Sequence, residues 1–300
     1  SSIEPFAYEY GGDRGFDPLE VACREAHKRG MALHAWVSVM PAWRGEGPPR
    51  DSRQLYNAHP EWFWYDQKGR RQPLLQRGKA WYVSLNPCLP EVRSHLVKVF
   101  EEIVQKYPVD GLHLDYIRFP SEISPKGSDY PYDRKTLALY KKATGKSPQQ
   151  DRTRWIRWRT EQVTQLVREI RGMMRRIRPK TKLTAACGAD FDRYRRDHFQ
   201  DGPIWLRGNL VDLVFVMNYC KDVETFRQRQ EAWRRAAYGK PVAAGIGMYL
   251  HENDQVTIEQ LKLAKKWGGG VALFSSNVLF DLSVRSRQRL VSVRSVLPAM

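Results

Sequence analysis

The strongest constraint on what this chain can fold into is an alternation of two patterns. Short apolar segments recur at 31–39, 109–116, 182–188, 211–219, 241–249 and 270–277. Amphipathic stretches lie between or after them, near 90–107, 151–178, 222–237, 257–267 and 283–296. In 90–107, Val92, Leu96, Val99, Phe100, Ile103 and Tyr107 share one helical face. Asp17 reads as an N-cap, Pro18 as a first helical position and Gly30 as a stop. Apolar strands alternating with one-faced helices give right-handed βαβ units and a parallel sheet covered on both sides. The segment 81–85 is a short strand candidate, and 120–150 is polar and carries a short helix at most.

No GxGxxG follows a first strand, so a dinucleotide-binding sheet has no support. Polar and aromatic residues gather at the C-terminal ends of the strands instead, where a (β/α)8 barrel places its site. These residues are His34 and Trp36, Asp115 and Tyr116, Asp190, Asn218 and Tyr219, Tyr249, and Ser275, Ser276 and Asn277. The expected fold is therefore α/β, a (β/α)8 TIM barrel. A single catalytic domain over 1–300 is expected, with a long insertion at about 41–80. Six strands do not close such a barrel, so its first two strands are expected to be missing from this sequence.

Composition narrows the partners. The chain has 300 residues, 42% hydrophobic and 28% charged, which is a globular balance. No apolar run approaches the ~20 residues a membrane span needs. Lys and Arg number 50 against 33 Asp and Glu, a net charge of +17. That excess suits a polyanion, such as an anionic wall polymer or acidic glycan, and equally a generally basic surface. The densest basic run, 151–178, reads as the solvent face of one helix. No Cys/His finger, RNP-type aromatic pattern or basic zipper accompanies it, so no nucleic acid partner is expected. Cys23, Cys88, Cys187 and Cys220 form no CxxC pair, and buried free thiols are expected. The histidines are scattered without HExxH spacing, and neither metal nor cofactor is expected.

The most informative stretch is PVDGLHLDYIRFP, 108–120. Alternation puts Leu112 and Leu114 on one side of the strand, His113 and Asp115 on the other. Asp115 then ends a central strand, with Tyr116 and Arg118 just beyond. A carboxylate so placed suits stabilisation of an oxocarbenium-like transition state. Asp110 begins the same strand and belongs to the barrel's stability end.

VSLNPCLPEVRSHLVKVFEEIVQKYPVDGLHLDYIRFP resembles the glycosyl-hydrolase-like family ten, and residues 1–39 resemble the segment around that family's third strand. The resemblance implies a bacterial TIM-barrel glycoside hydrolase, secreted, periplasmic or attached to the cell envelope. It also implies a polysaccharide substrate, such as peptidoglycan glycan strands. More distantly, Gly111-Leu112-His113-Leu114-Asp115 resembles the fourth-strand motif of the α-amylase superfamily, whose Asp is the nucleophile. His113 stands where that motif has Arg, which leaves open whether Asp115 is a nucleophile or another catalytic carboxylate.

Glycoside hydrolysis ordinarily needs two carboxylates. Asp190, then Asp222, are the candidate partners of Asp115. His34, Trp36, Asn86, His113, Tyr116, Arg118, Asn218, Tyr219, Tyr249 and Asn277 are the candidate sugar contacts. Trp43, Trp62, Trp64 and Trp81, in or beside the insertion, are either stacking platforms or a small local core. The expected function is a glycosidase acting on a polysaccharide. A non-catalytic carbohydrate-binding barrel is the alternative, and a basic nucleic-acid-binding protein a third.

Overall fold

The computed structural model describes residues 15–76, 78–119 and 127–297. Residues 1–14 and Pro120, which carry part of the family resemblance, lie outside them. In chain order the elements begin with α1 (Pro18–His27), β1 (His34–Ser38), β2 (Pro41–Arg44), α2 (Leu55–Ala58), β3 (Leu75–Gln76), β4 (Lys79–Ala80) and β5 (Tyr82–Ser84). Then come α3 (Pro90–Lys106), β6 (Gly111–Asp115), α4 (Arg134–Thr144), α5 (Arg152–Ile177), β7 (Lys182–Gly188), α6 (Phe191–Asp197) and α7 (Gly202–Arg207). The chain continues with β8 (Leu213–Met217), α8 (Val223–Ala236), β9 (Val242–Gly247), α9 (Asp254–Trp267), β10 (Val271–Phe274), α10 (Asn277–Phe280) and α11 (Val284–Val296). Each of the six long apolar segments thus contains one strand, and helices follow them as the alternation requires.

Two compact units divide the chain. The first comprises residues 1–183 and 193–201; the second comprises 184–192 and 202–300. In the first, β1 and β6 pair in parallel with His34 opposite Gly111 and Ser38 opposite Asp115. In the second, β8 pairs in parallel with β7 and β9, and β9 with β10. Among the described residues, every ladder between these strands is parallel, and helices supply the crossovers.

In the first unit, α1 starts where Asp17 accepts the N–H groups of Leu19 and Glu20 at 3.0 and 3.2 Å, with Pro18 at its first turn. Helix α3 buries Val92, Leu96, Phe100 and Val104, a stripe at the i, i+4 spacing. Helix α5 buries Trp155, Val163, Val167, Ile170 and Met174 on one face. The basic run along α5 does line its solvent side, with one exception: Arg159 is fully buried.

The 41–80 insertion builds its own small layer. Strand β2 returns antiparallel against β5, so the 81–85 candidate is a strand outside the parallel ladders. Beneath it Phe63 and Trp64 are buried, and the Trp64 indole donates to the Leu85 carbonyl at 2.8 Å. Trp64 therefore belongs to a local core. Helix α4 runs for 11 residues where at most a short helix was expected. Its ends define it: Asp133 caps the Thr136 N–H at 2.9 Å, and Gly145 closes it in the left-handed conformation at φ 72°. All four cysteines are free and buried.

The β1–β6 register rests on a close approach. A Cβ on Gly111 would lie 2.4 Å from the His34 ring. Gly111→Ala is expected to destabilise the chain by roughly 1–3 kcal/mol through overpacking. Adding His34→Ala should recover most of that loss. Chemical denaturation of both variants checks it, and equal destabilisation of single and double mutants would refute it.

Candidate active site

Strand β6 delivers Asp115 to its own C-terminal end, and the flanking backbone takes it out of water. Asp115 is only 7% exposed. The Trp36 indole N–H, from the facing strand β1, donates to its Oδ2 at 3.1 Å. The Tyr116 backbone N–H donates to its Oδ1 at 2.7 Å. Burial pushes the Asp115 pKa up; the Tyr116 N–H, the Arg118 charge and the Trp36 indole each pull it partly back. The net result is a carboxyl group that holds its proton to higher pH than an ordinary aspartate.

The neighbouring imidazole is shifted the opposite way, and it too is held in its neutral form. Burial first, and then the adjacent His34, hold the His113 imidazole down at about 4. His113 is consequently neutral near pH 7. Tyr116 sits at φ 49°, an uncommon conformation for an aromatic residue and one found preferentially where function holds the backbone in strain. The Arg118 guanidinium lies 4.8 Å from the Tyr116 ring centroid and 5.5 Å from that of Tyr194. The segment leaving β6 is pinned as well. Phe119 N–H donates to the His198 carbonyl at 2.9 Å, and His198 Nδ1 lies 2.8 Å from the Phe119 carbonyl.

An aromatic wall borders the carboxyl. Trp36 is 61% exposed even though its N–H is committed to Asp115. Tyr82, from β5, lies 5.5 Å from the Tyr116 ring, and Arg44 lies over both Tyr82 and Trp81 at 5.4 and 5.8 Å. Exposed indole and phenol faces are the surfaces on which pyranose rings stack. Sequence reasoning did not find Tyr82, nor Tyr194 and His198, about 80 positions away. Nothing local in the sequence marks them.

The structure thus brings His34, Trp36, His113, Asp115, Tyr116 and Arg118 together in one unit. Asn86 belongs to the same unit but is fully buried, and its polar groups are used internally. Its Nδ2 donates to Asp133 and Thr136 at 2.9 and 2.8 Å, and its Oδ1 accepts the Cys88 N–H at 3.0 Å. Asp110 accepts the Leu33 N–H at 2.7 Å and lies 2.8 Å from His27 Nε2, a structural clamp at the opposite end of the strand.

The remaining candidates belong to the second unit. Asp190 is exposed just ahead of α6. Asp222 is also exposed and caps α8, accepting the Thr225 N–H at 2.7 Å. Asn218 is buried and donates to the Phe226 carbonyl at 2.8 Å. Tyr219 stacks on Phe274 at 5.3 Å, and the half-exposed Tyr249 meets both rings edge-on at 6.2 and 6.1 Å. Ser275 donates to Asn277. Among the described residues, no group of three or more His, Cys, Asp or Glu is placed to hold a metal ion.

The model of the glycosyl hydrolase-like 10 family matches residues 4–268. The chain belongs to that family. Among curated relatives, glycosyl hydrolase YngK of Bacillus subtilis is 28% identical over 172 residues, 57% of this chain and 30% of the relative. Glycosyl hydrolase DigH of Escherichia coli K12 is 28% identical over 180 residues, 56% of this chain and 35% of the relative. This family member therefore matches about a third of each relative's length. Among solved structures, the PgaB (BpsB) glycoside hydrolase domain from Bordetella bronchiseptica aligns with a TM-score of 0.68 at 14% identity. The alignment covers 93% of this chain and 80% of that one. The fold is accordingly the α/β class of the TIM-barrel glycoside hydrolases.

A raised carboxyl pKa carries a stability signature. Between the unfolded value and the raised folded value, the folded state holds the extra proton. Stability tied to Asp115 therefore falls as pH rises through that window, and the cost is fully present above it. Asp115→Asn is expected to lose less melting temperature than the parent between pH 3 and pH 8. Parallel thermal melts across that range check it; superimposable pH profiles would refute the raised pKa.

Proposed function

We propose that this family member is a glycosidase domain that cleaves O-glycosidic bonds of a polysaccharide, with Asp115 as its principal catalytic carboxylate. The observation that carries the reading is Asp115 itself. It is a desolvated carboxyl at the end of a parallel strand, held by an indole N–H and a backbone N–H. Burial makes such a group hold its proton more firmly than an ordinary aspartate, and it can give that proton to a leaving glycosidic oxygen. The exposed face of Trp36 and the Tyr82–Tyr116 pair supply stacking surface beside it. Neutral His113 offers a hydrogen bond to a sugar hydroxyl without adding charge. Membership of a glycosyl hydrolase-like family and likeness to named glycosyl hydrolases support the same class. An envelope glycan, peptidoglycan strands among them, is the proposed substrate, reached from a secreted, periplasmic or envelope-attached position.

A second reading, a sugar-binding barrel without turnover, is favoured by one observation. Among the described residues, the charged neighbour acting on Asp115 is Arg118 and not a second carboxylate. Counting new reducing ends separates the two. The chain and its Asp115→Asn variant are incubated with glycans that include stripped peptidoglycan strands. Cleavage by the parent, reduced at least ~10²-fold in the variant, is expected for a general acid. Binding without cleavage by either protein would establish the second reading.

The indole contact gives a finer test. Trp36 lowers the Asp115 pKa, so Trp36→Phe should raise it. If Asp115 acts protonated, the alkaline limb of kcat/KM should move to higher pH in that variant. An unmoved limb would show that Asp115 is not the titrating acid.

A further inference from the structure

A second cluster in the first unit lies outside the Asp115 site. Helix α5 carries its basic residues outward except for Arg159, which occupies a core position at 0% exposure. Its guanidinium lies 4.6 Å from the Trp155 ring centroid and 4.0 Å from that of Phe199. One nitrogen, Nη1, is satisfied, donating to Asp129 Oδ1 at 2.6 Å and the Tyr130 carbonyl at 2.5 Å. The other two, Nε and Nη2, are buried with no hydrogen-bond partner among the described residues. Leaving such donors unfilled is costly, and more so for a charged group.

Arg159 lines a hollow of ≈ 390 Å³ together with Arg152, Arg193, Arg196, Asp129 and Asp197. That volume is within the range of small-molecule sites. Arg152 and Arg159 share Asp129. Arg193 and Arg196 share Asp197, at 3.7 and 3.0 Å. Four guanidinium groups and two carboxylates thus line one hollow. Planar guanidinium forks match the geometry of a carboxylate or phosphate group.

We propose that this hollow is a binding site for an oxyanion, a carboxylate or phosphate group borne on an acidic sugar unit, with Arg159 supplying its unfilled donors. The glycan part of the assignment rests on the proposed function. The link between the sites is structural. Arg193, Arg196, Asp197 and His198 line the hollow, and the same short segment also holds the backbone that leaves Asp115. Tyr194 lies against Arg118, and His198 pairs with Phe119. An acidic unit seated there would press on the wall that holds the segment leaving Asp115.

Calorimetric titration of the chain with inorganic phosphate and with glucuronate, at low ionic strength, tests the site directly. Arg159 variants risk misfolding, because Arg159 also satisfies Asp129 and Tyr130, so the half-exposed wall carries the test. Saturable binding is expected, weakened about tenfold by Arg152→Gln and by Arg196→Gln. Arg154→Gln, on the same helix but lining a different hollow with Lys146 and Asp151, should leave it unchanged. No saturable binding, or equal loss in all three variants, would overturn the site. An acidic oligosaccharide should bind at least about tenfold more tightly than its carboxyl-reduced form. No preference between the two, with phosphate still bound, would overturn the glycan assignment. All titrations are repeated on Asp115→Asn, where binding should persist, so failed hydrolysis and a failed hollow are read separately.

Discussion

The geometry around Asp115 depends on how closely β1 approaches β6. The His34 ring occupies the space that a side chain on residue 111 would fill, and only glycine leaves that space open. At the strand entrance, Asp110 binds the backbone N–H of Leu33 directly. These two contacts fix the parallel register that sets Trp36 opposite His113. A slip of one residue would turn Trp36 to the other face of the strand and remove its indole from Asp115. The dipeptide Asp110-Gly111 therefore does structural work at one end of a strand so that chemistry can be placed at the other.

Asp115 shows how that placement becomes reactivity. In water an aspartate is ionised and a poor proton donor at neutral pH. Here desolvation favours the protonated form, while two hydrogen bonds and Arg118 favour the anion. The opposing influences let the same group hold a proton and still release it, as acid catalysis requires. Neutral His113 fits that balance, because a charged imidazole at the same place would draw the proton off Asp115.

Much of this was legible in the sequence, for physical reasons that also explain the gaps. Strands buried on both faces read as continuous apolar runs, so β6 and its terminal Asp115 stood out. Helix α4 did not, because only Thr136 and Tyr140 are buried along it, and its caps mark its limits better than any apolar stripe. Asn86, Asn218 and Asp222 illustrate a different gap. Residues that favour turns and caps resemble residues that bind sugars, and only their hydrogen bonds reveal that they are already engaged. Tyr82 was missed because pairing of β2 with β5 brings it beside Tyr116, and that pairing has no local signature.

Arg159 is the sharpest case, because spacing alone would have found it. It lies four residues after Trp155 and four before Val163, on the buried stripe of α5. Set among so many exposed arginines, it resembles one more solvated charge in the sequence. A buried guanidinium is stable only when its charge and donors are met, and Asp129 with the Tyr130 carbonyl meets one nitrogen of three. The chain's net charge of +17 is thus two populations. Exposed arginines along α5 act over long range and are screened by salt. Arg159 sits where screening is weak, between two aromatic rings and at the edge of a hollow lined by three more arginines. An anion seated there would gain from both the local donors and the weaker dielectric screening, and that is where a basic surface becomes selective.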